Sequence, residues 1–218
     1  MKRRDFALTT AGAALAVFGQ MPARAQDAQP FKPDVDYRAL QKPVVVDATP
    51  PQIEVVEFFS YGCSHCRDFE AQFEKWKEAA PKDVSVRREH VGFQSSFEPL
   101  QRIYYALEIM GKIDQLHAKV YAALQSERKQ INQPQVLFPW IAAQGVDRAE
   151  FEKVYNSFGV ATKVRRANEL QNAYGVEGTP ALTTGGRYYT DGSMARDFTR
   201  MLALTDMLIA RERKRMGG

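Results

Sequence analysis

The apolar positions of the chain change period several times, and each change marks an element. Ile53–Phe59 is a run of β-branched and aromatic residues of the kind a central buried strand carries, interrupted by Glu54 near its start and Glu57 in its middle. From Cys66 to Ala80 the period becomes helical, with Phe69, Phe73 and Trp76 on one side and Pro81 just past the end. Val84–Phe93 alternates in part and predicts a second strand, so the first half reads as a βαβ unit. A short Val44–Val46 run in the Pro-rich, polar stretch before it predicts an edge strand.

From about Phe97 the texture changes. Leu100, Ile103, Tyr104, Leu107 and Met110 form one helical stripe, and Leu116, Val120, Tyr121 and Leu124 another. Gln133–Gln144, Arg148–Ser157 and Val160–Tyr174 are helical in pattern too, and Pro139 is expected to kink or divide the first. The stretch at about 95–165 is too long for a loop and reads as a helical insertion packing its own small core. Strands return at Ala181–Thr184 and Arg187–Thr190. The Gly185-Gly186 pair between them suits a two-residue hairpin turn, because glycine accepts positive φ. Ser193–Arg215 closes the chain as one helix; its basic C-terminal cluster is ordinary for a helix end.

Composition narrows the chemistry. At 218 residues the chain can bury a proper core without a disulfide or a metal, and 13 Phe, 9 Tyr and 2 Trp argue against disorder. Two cysteines cannot build a disulfide-rich scaffold, a four-cysteine zinc site or an iron–sulfur cluster. The net charge of +4 invites a polyanion-binding reading. Lys2, Arg3, Arg4 and Arg24, against Asp5, belong to the first 25 residues, however. Without them 26 Lys and Arg face 25 Asp and Glu, and the case for nucleic acid disappears.

Those first residues have the form of an export signal. A basic Met1–Arg4 precedes a short apolar run, Ala7–Phe18, then Pro22 and Ala23-Arg24-Ala25, an A-x-A cleavage site. The run is shorter than the ~20 residues a membrane span requires. Cleavage is expected after about Ala25, leaving 26–218 as one domain interrupted by the insertion. Arg3-Arg4-Asp5-Phe6 also resembles a twin-arginine signal, so Sec and twin-arginine export both stay open. Either route leads to a periplasm, where disulfides persist.

The two cysteines, Cys63 and Cys66, lie three apart at the start of the first helix. Residues so spaced share a helix face at ~5–6 Å, within disulfide range, so the pair can open and close with little backbone movement. Unpaired amides and the helix dipole favour a thiolate at Cys63, and His65 can add positive charge and a hydrogen bond. Three other uses compete. A structural disulfide here closes a tiny loop and stabilises little. Zinc needs two further ligands, and only His65, His90 and His117 remain among the histidines. A c-type haem needs His where Arg67 stands. His90 and His117 read as ordinary packed or surface side chains. Redox chemistry without cofactor or metal is the favoured reading.

The segment Glu57-Phe58-Phe59-Ser60-Tyr61-Gly62-Cys63-Ser64-His65-Cys66 resembles the active site of the DsbA family of thiol:disulfide oxidoreductases. The resemblance continues through Phe69-Glu70 and Gly175-Val176-Glu177-Gly178-Thr179-Pro180, and covers most of the mature chain. It implies an α/β, thioredoxin-like fold with an inserted helical domain, and a redox-active Cys63–Cys66 disulfide. Cys63 would be the exposed cysteine attacked by a substrate thiolate, and Cys66 the buried one. The disulfide would pass to reduced, unfolded exported polypeptides, and a quinone-coupled membrane oxidase of the DsbB type would restore it. Pro180 is expected to be cis, with Thr179 pairing with an extended substrate. Whatever stabilises the reduced thiolate strengthens the oxidant: a thiol pKa ~3 units below ambient pH corresponds to ~4 kcal/mol, or ~90 mV.

Glu57 is the oddity of its strand, because a buried carboxyl must be paired or protonated. It would lie beneath the active site and accept or relay the Cys66 proton, with Glu70, one turn on, assisting. Arg88 aligns with a basic partner in the family, and Glu54 reads as solvated. Ser64 replaces the family's usual proline and Thr179 stands where Val is also common, which makes both tuners of the potential. A monomer is expected. Two alternatives stay open: a periplasmic reductase or isomerase, and a soft-metal clamp. DsbC-type isomerases carry a separate dimerisation domain, whereas only about 27 mature residues precede Ile53; the clamp lacks further nearby ligands.

Overall fold

The computed structural model describes residues 31–217; the expected export signal lies outside them. Five strands form one mixed sheet: β1 (Arg38–Ala39), β2 (Ile53–Phe59), β3 (Val84–His90), β4 (Ala181–Thr184) and β5 (Tyr188–Asp191), in the order β1-β5-β4-β2-β3. Only β2 and β3 run parallel, joined by helix α1 (Ser64–Ala79) as a βαβ unit. All seven residues of β2 are buried, as a central strand covered on both faces requires. One face of it, Ile53 and Val55, packs on Phe69 and Phe73 of α1 and on Met201 and Ile209 of the last helix, α8 (Phe198–Arg215). The other, Val56 and Phe58, meets Tyr174 at the end of α6 (Phe158–Tyr174).

Between the two halves of this thioredoxin-like frame run α2 (Glu98–Ile109), α3 (Ile113–Tyr121), α4 (Pro134–Ala143) and α5 (Arg148–Tyr155). A π-turn, Ala122–Ser126, follows α3 directly. The helices were expected to pack a core of their own. Instead Ile103, Leu107, Leu116 and Val120 are continuous with Phe59, Tyr61 and Cys66, so the insertion closes over the end of β2.

Other expectations are corrected in detail. Val44–Val46 is not a strand: Val44 makes a single backbone bond, to Gly186, and the edge is β1. The strand from Val84 ends at His90. Pro139 does not divide α4, because it removes one N–H while Leu137, Phe138, Trp140 and Ile141 bury the helix around it. Gly185 and Gly186 adopt φ of 59° and 68°, as foreseen, but pairing resumes only at Tyr188, one residue later than a two-residue turn. The C-terminal helix is two, α7 (Gly192–Ala195) and α8. Arg196 breaks it with φ 73°, and Asp197 caps α8 by accepting the Arg200 N–H. Glu54 is not solvated: it is buried and accepts the N–H groups of Asp47 and Ala48 and the Arg87 guanidinium.

Candidate active site

The segment between β2 and α1 turns tightly. The Cys63 N–H donates to the Ser60 carbonyl at 3.0 Å, and the Gly62 N–H to Ser60 Oγ at 3.1 Å. The turn delivers Cys63 as the N-cap of α1, in extended conformation, with its sulfur accepting the Cys66 N–H at 3.3 Å. Cys63 is partly exposed and Cys66 fully buried; both are free thiols, the reduced dithiol form. The Thr179–Pro180 bond is cis, and the Thr179 carbonyl lies 3.3 Å from the Cys63 sulfur. Residues 63–66 and 179–180, over a hundred positions apart, thus meet in one place.

The two thiols are pushed in opposite directions. Cys63 is lowered to about 6, first by a hydrogen bond from the Cys66 thiol, then by Thr179 and the backbone N–H groups of Cys66 and His65, against partial burial. Burial and the neighbouring sulfur push Cys66 far above the ordinary thiol range. One sulfur is a thiolate at neutral pH while the other keeps its proton. The lowering of Cys63 stops short of three units below neutral because desolvation opposes it. The His65 ring, moreover, makes no hydrogen bond to the sulfur among the described residues. His65 is exposed and acts on Cys63 through its main chain. Ser64 is also exposed, as the first residue of α1.

A charged cluster ties β2 and β3 to α1. The parallel register places Glu57 directly beside Arg88, and Glu57 Oε2 accepts from Arg88 Nε at 2.7 Å. The same guanidinium reaches Glu70 Oε1 at 3.0 Å and Glu74 Oε1 at 2.6 Å on α1. Glu57 is fully buried, and desolvation outweighs Arg88 to raise its carboxyl to about 7. A group that changes charge near neutrality is suited to exchanging protons.

Three residues not anticipated at the site hold Tyr61. His90 Nε2 accepts the Tyr61 N–H at 3.1 Å, and its Nδ1 faces the Val91 carbonyl at 2.8 Å, which makes Nδ1 the protonated nitrogen. Burial lowers His90 to about 3, so the ring stays neutral. His117 Nδ1 lies 2.9 Å from the Tyr61 hydroxyl and its Nε2 3.3 Å from Glu70 Oε2. The Gln125 amide donates to the Tyr61 and Cys63 carbonyls at 2.8 and 3.0 Å. Both histidines are packed, as expected, but nothing local in sequence tied them or Gln125 to the cysteines.

On the solvent side Thr179 lines two hollows, one of which Cys63 also lines. One, of about 560 Å³, is lined by His65, Thr179, Pro180, Asp191, Arg196 and Phe198. The other, of about 240 Å³, is lined by Gly62, Cys63, Phe93, Phe97, Leu100 and Thr179. Among the described residues no helix is long and apolar enough to cross a membrane.

The chain is similar to known proteins in sequence and in fold. The family model of the DSBA-like thioredoxin domain matches residues 54–204. The chain is 40% identical over 217 residues to the thiol:disulfide interchange protein DsbA of Bordetella parapertussis, covering 98% of this chain and 100% of that one. It is 35% identical over 210 residues to the Pseudomonas aeruginosa protein of the same name, covering 96% and 97%. The crystal structure of Pseudomonas aeruginosa DsbA matches with a TM-score of 0.83 at 34% identity, over 88% of this chain and 99% of that chain. That of the oxidoreductase DsbA from Xylella fastidiosa matches with a TM-score of 0.76 at 27%, over 82% and 96%. The chain therefore belongs to the DsbA family, as a thiol:disulfide oxidoreductase of thioredoxin-like fold.

Proposed function

We propose that the protein is a periplasmic dithiol oxidase that donates a Cys63–Cys66 disulfide to reduced, unfolded exported polypeptides. The observation that carries this reading is the divergence of the two thiols, one lowered to about 6 and exposed, the other raised and buried. In the oxidised form a substrate thiolate attacks Cys63 Sγ. The Cys63–Cys66 bond breaks, a mixed disulfide forms, and Cys66 leaves as a thiolate that takes up a proton. A second substrate thiolate then attacks the substrate sulfur of the mixed disulfide and expels Cys63 as a thiolate. The substrate loses two electrons and the Cys63/Cys66 pair gains them.

Each neighbour has a part. Glu57, poised near neutrality, supplies the proton that Cys66 takes up; Arg88 holds it in place and is itself held by Glu70. Thr179, before Pro180, offers its main chain to an extended substrate. The two hollows receive the residues flanking the substrate cysteine. Ser64, His65 and Thr179 tune the potential through their places beside the sulfurs. A quinone-linked membrane oxidase of the DsbB type restores the disulfide, and the protein works as a monomer. It reaches the periplasm by a Sec or twin-arginine signal cleaved after about Ala25.

Single-cysteine variants test this order of events. Cys66→Ala should accumulate mixed disulfides with exported proteins, and Cys63→Ala should form none and lose dithiol oxidation. Full activity in Cys63→Ala, or trapping in that variant alone, would reverse the roles.

A further inference from the structure

The turn before Cys63 is gripped from the insertion. Gln125 belongs to the π-turn Ala122–Ser126, in which the Glu127 N–H reaches the Ala122 carbonyl at 2.9 Å. Such turns are rare, and they concentrate at functional sites. This one presents a single amide nitrogen to two carbonyls, those of Tyr61 and Cys63. The two residues flank Gly62 and frame the turn that sets Cys63 as the helix cap. Gln125 is half-buried, carries no titratable group and follows α3 directly, more than sixty positions from the turn it touches.

We propose that Gln125 is a positioning residue for the Cys63 thiol, fixing through the Tyr61 and Cys63 carbonyls the orientation in which the sulfur faces its donors. The inference rests on Cys63 being the reactive thiol. The sulfur accepts the Cys66 N–H at 3.3 Å only while Cys63 holds its extended cap conformation, φ −90° and ψ 117°. Other elements hold Tyr61: its N–H bonds to His90 on β3, and its hydroxyl meets His117 on α3. Among the described contacts Gln125 alone anchors the carbonyl of Cys63 from outside α1, where the Arg67 N–H also reaches it at 3.3 Å. With that anchor gone the turn relaxes, and the sulfur spends time away from the amides that favour its charge.

The test replaces the donor and keeps the shape. Gln125→Met is close in volume with no N–H, and Gln125→Leu removes the N–H with a shorter, uncharged side chain. Both should release the Cys63 proton about threefold to tenfold less readily, a rise of about 0.5–1 unit by ultraviolet thiolate titration. The equilibrium constant against glutathione should shift by a like factor toward a weaker oxidant. If Gln125→Met does not fold, Gln125→Leu carries the same measurement. Titration curves and equilibrium constants matching the unsubstituted protein in a folded variant would overturn the proposal. So would a loss of stability equal in oxidised and reduced forms with the titration unmoved. A failure of the underlying reading is distinguishable, because then the unsubstituted protein itself would show no acidic Cys63 thiol.

Discussion

At the residue scale the most consequential side chain is Glu57, a carboxyl in the middle of an otherwise apolar strand. Its folded pKa of about 7 lies above the ordinary 4.5, because burial costs the charged form more than Arg88 returns. A raised carboxyl contributes stability that is full below about 4.5 and is lost as the pH rises through about 7. Glu57→Gln cannot ionise, so it should escape that loss. The variant should gain about 3 kcal/mol relative to the unsubstituted protein between acid and mildly alkaline pH, read from denaturant unfolding across that range. Parallel stability profiles would contradict a Glu57 that titrates near neutrality.

The glutamate was legible in sequence as an anomaly, and the CxxC pair as a redox motif. Its partners were not equally legible. Arg88 is 31 positions from Glu57 and becomes its neighbour only through the parallel register of β2 and β3. Glu54 looked like a strand-entry charge facing water; it is buried because the chain at Asp47 and Ala48 folds back and gives it two amides. His65 was expected to touch the cysteine sulfur with its ring, yet helix geometry turns that ring outward and leaves its N–H to act.

At the scale of elements, and among the described residues, hydrophobic period located α1 to α6 and every strand of the sheet except the two-residue β1, which is too short to show one, but it joined α7 to α8. Ends were harder. The break between α7 and α8 falls at Arg196, a residue with no turn propensity that marks it in sequence, held at φ 73° while Asp197 caps the next helix. The Gly185-Gly186 turn was foreseen for its dihedral angles, but Gly186 has a second reason to be glycine. A Cβ there would meet the Val44 carbonyl oxygen at 2.2 Å, where the N-terminal segment docks on the hairpin. Gly186→Ala should therefore destabilise the fold by about 2–3 kcal/mol, from the left-handed backbone and the collision together. Thermal or denaturant unfolding measures it; a change below about 0.5 kcal/mol would mean that the segment is not docked there.

Across the whole molecule, the insertion and the frame share one core that runs through Phe59, Tyr61 and Cys66. The reactive pair therefore sits at a seam: α1 supplies the cap, the β4 approach supplies Thr179 and Pro180, and the insertion supplies His117 and Gln125. That seam joins stretches distant in sequence: the motif and, through the family resemblance, Thr179 and Pro180 could be read from the chain, whereas His90, His117 and Gln125 could not be tied to it. It also makes the potential of the pair a property of the folded whole, since every group that favours the Cys63 thiolate stabilises the reduced form.

The central claim is that this fold makes an oxidising dithiol by holding Cys63 as a thiolate, and redox equilibrium against glutathione as a function of pH tests it most directly. Oxidation of the pair releases two protons below the Cys63 pKa of about 6 and one above it. The potential should therefore fall by about 60 mV per pH unit below pH 6 and by about 30 mV above it. At pH 7 it should lie well above the thioredoxin value of about −270 mV. A potential near that value, or a slope of about 60 mV per unit unbroken through pH 8, would contradict the account.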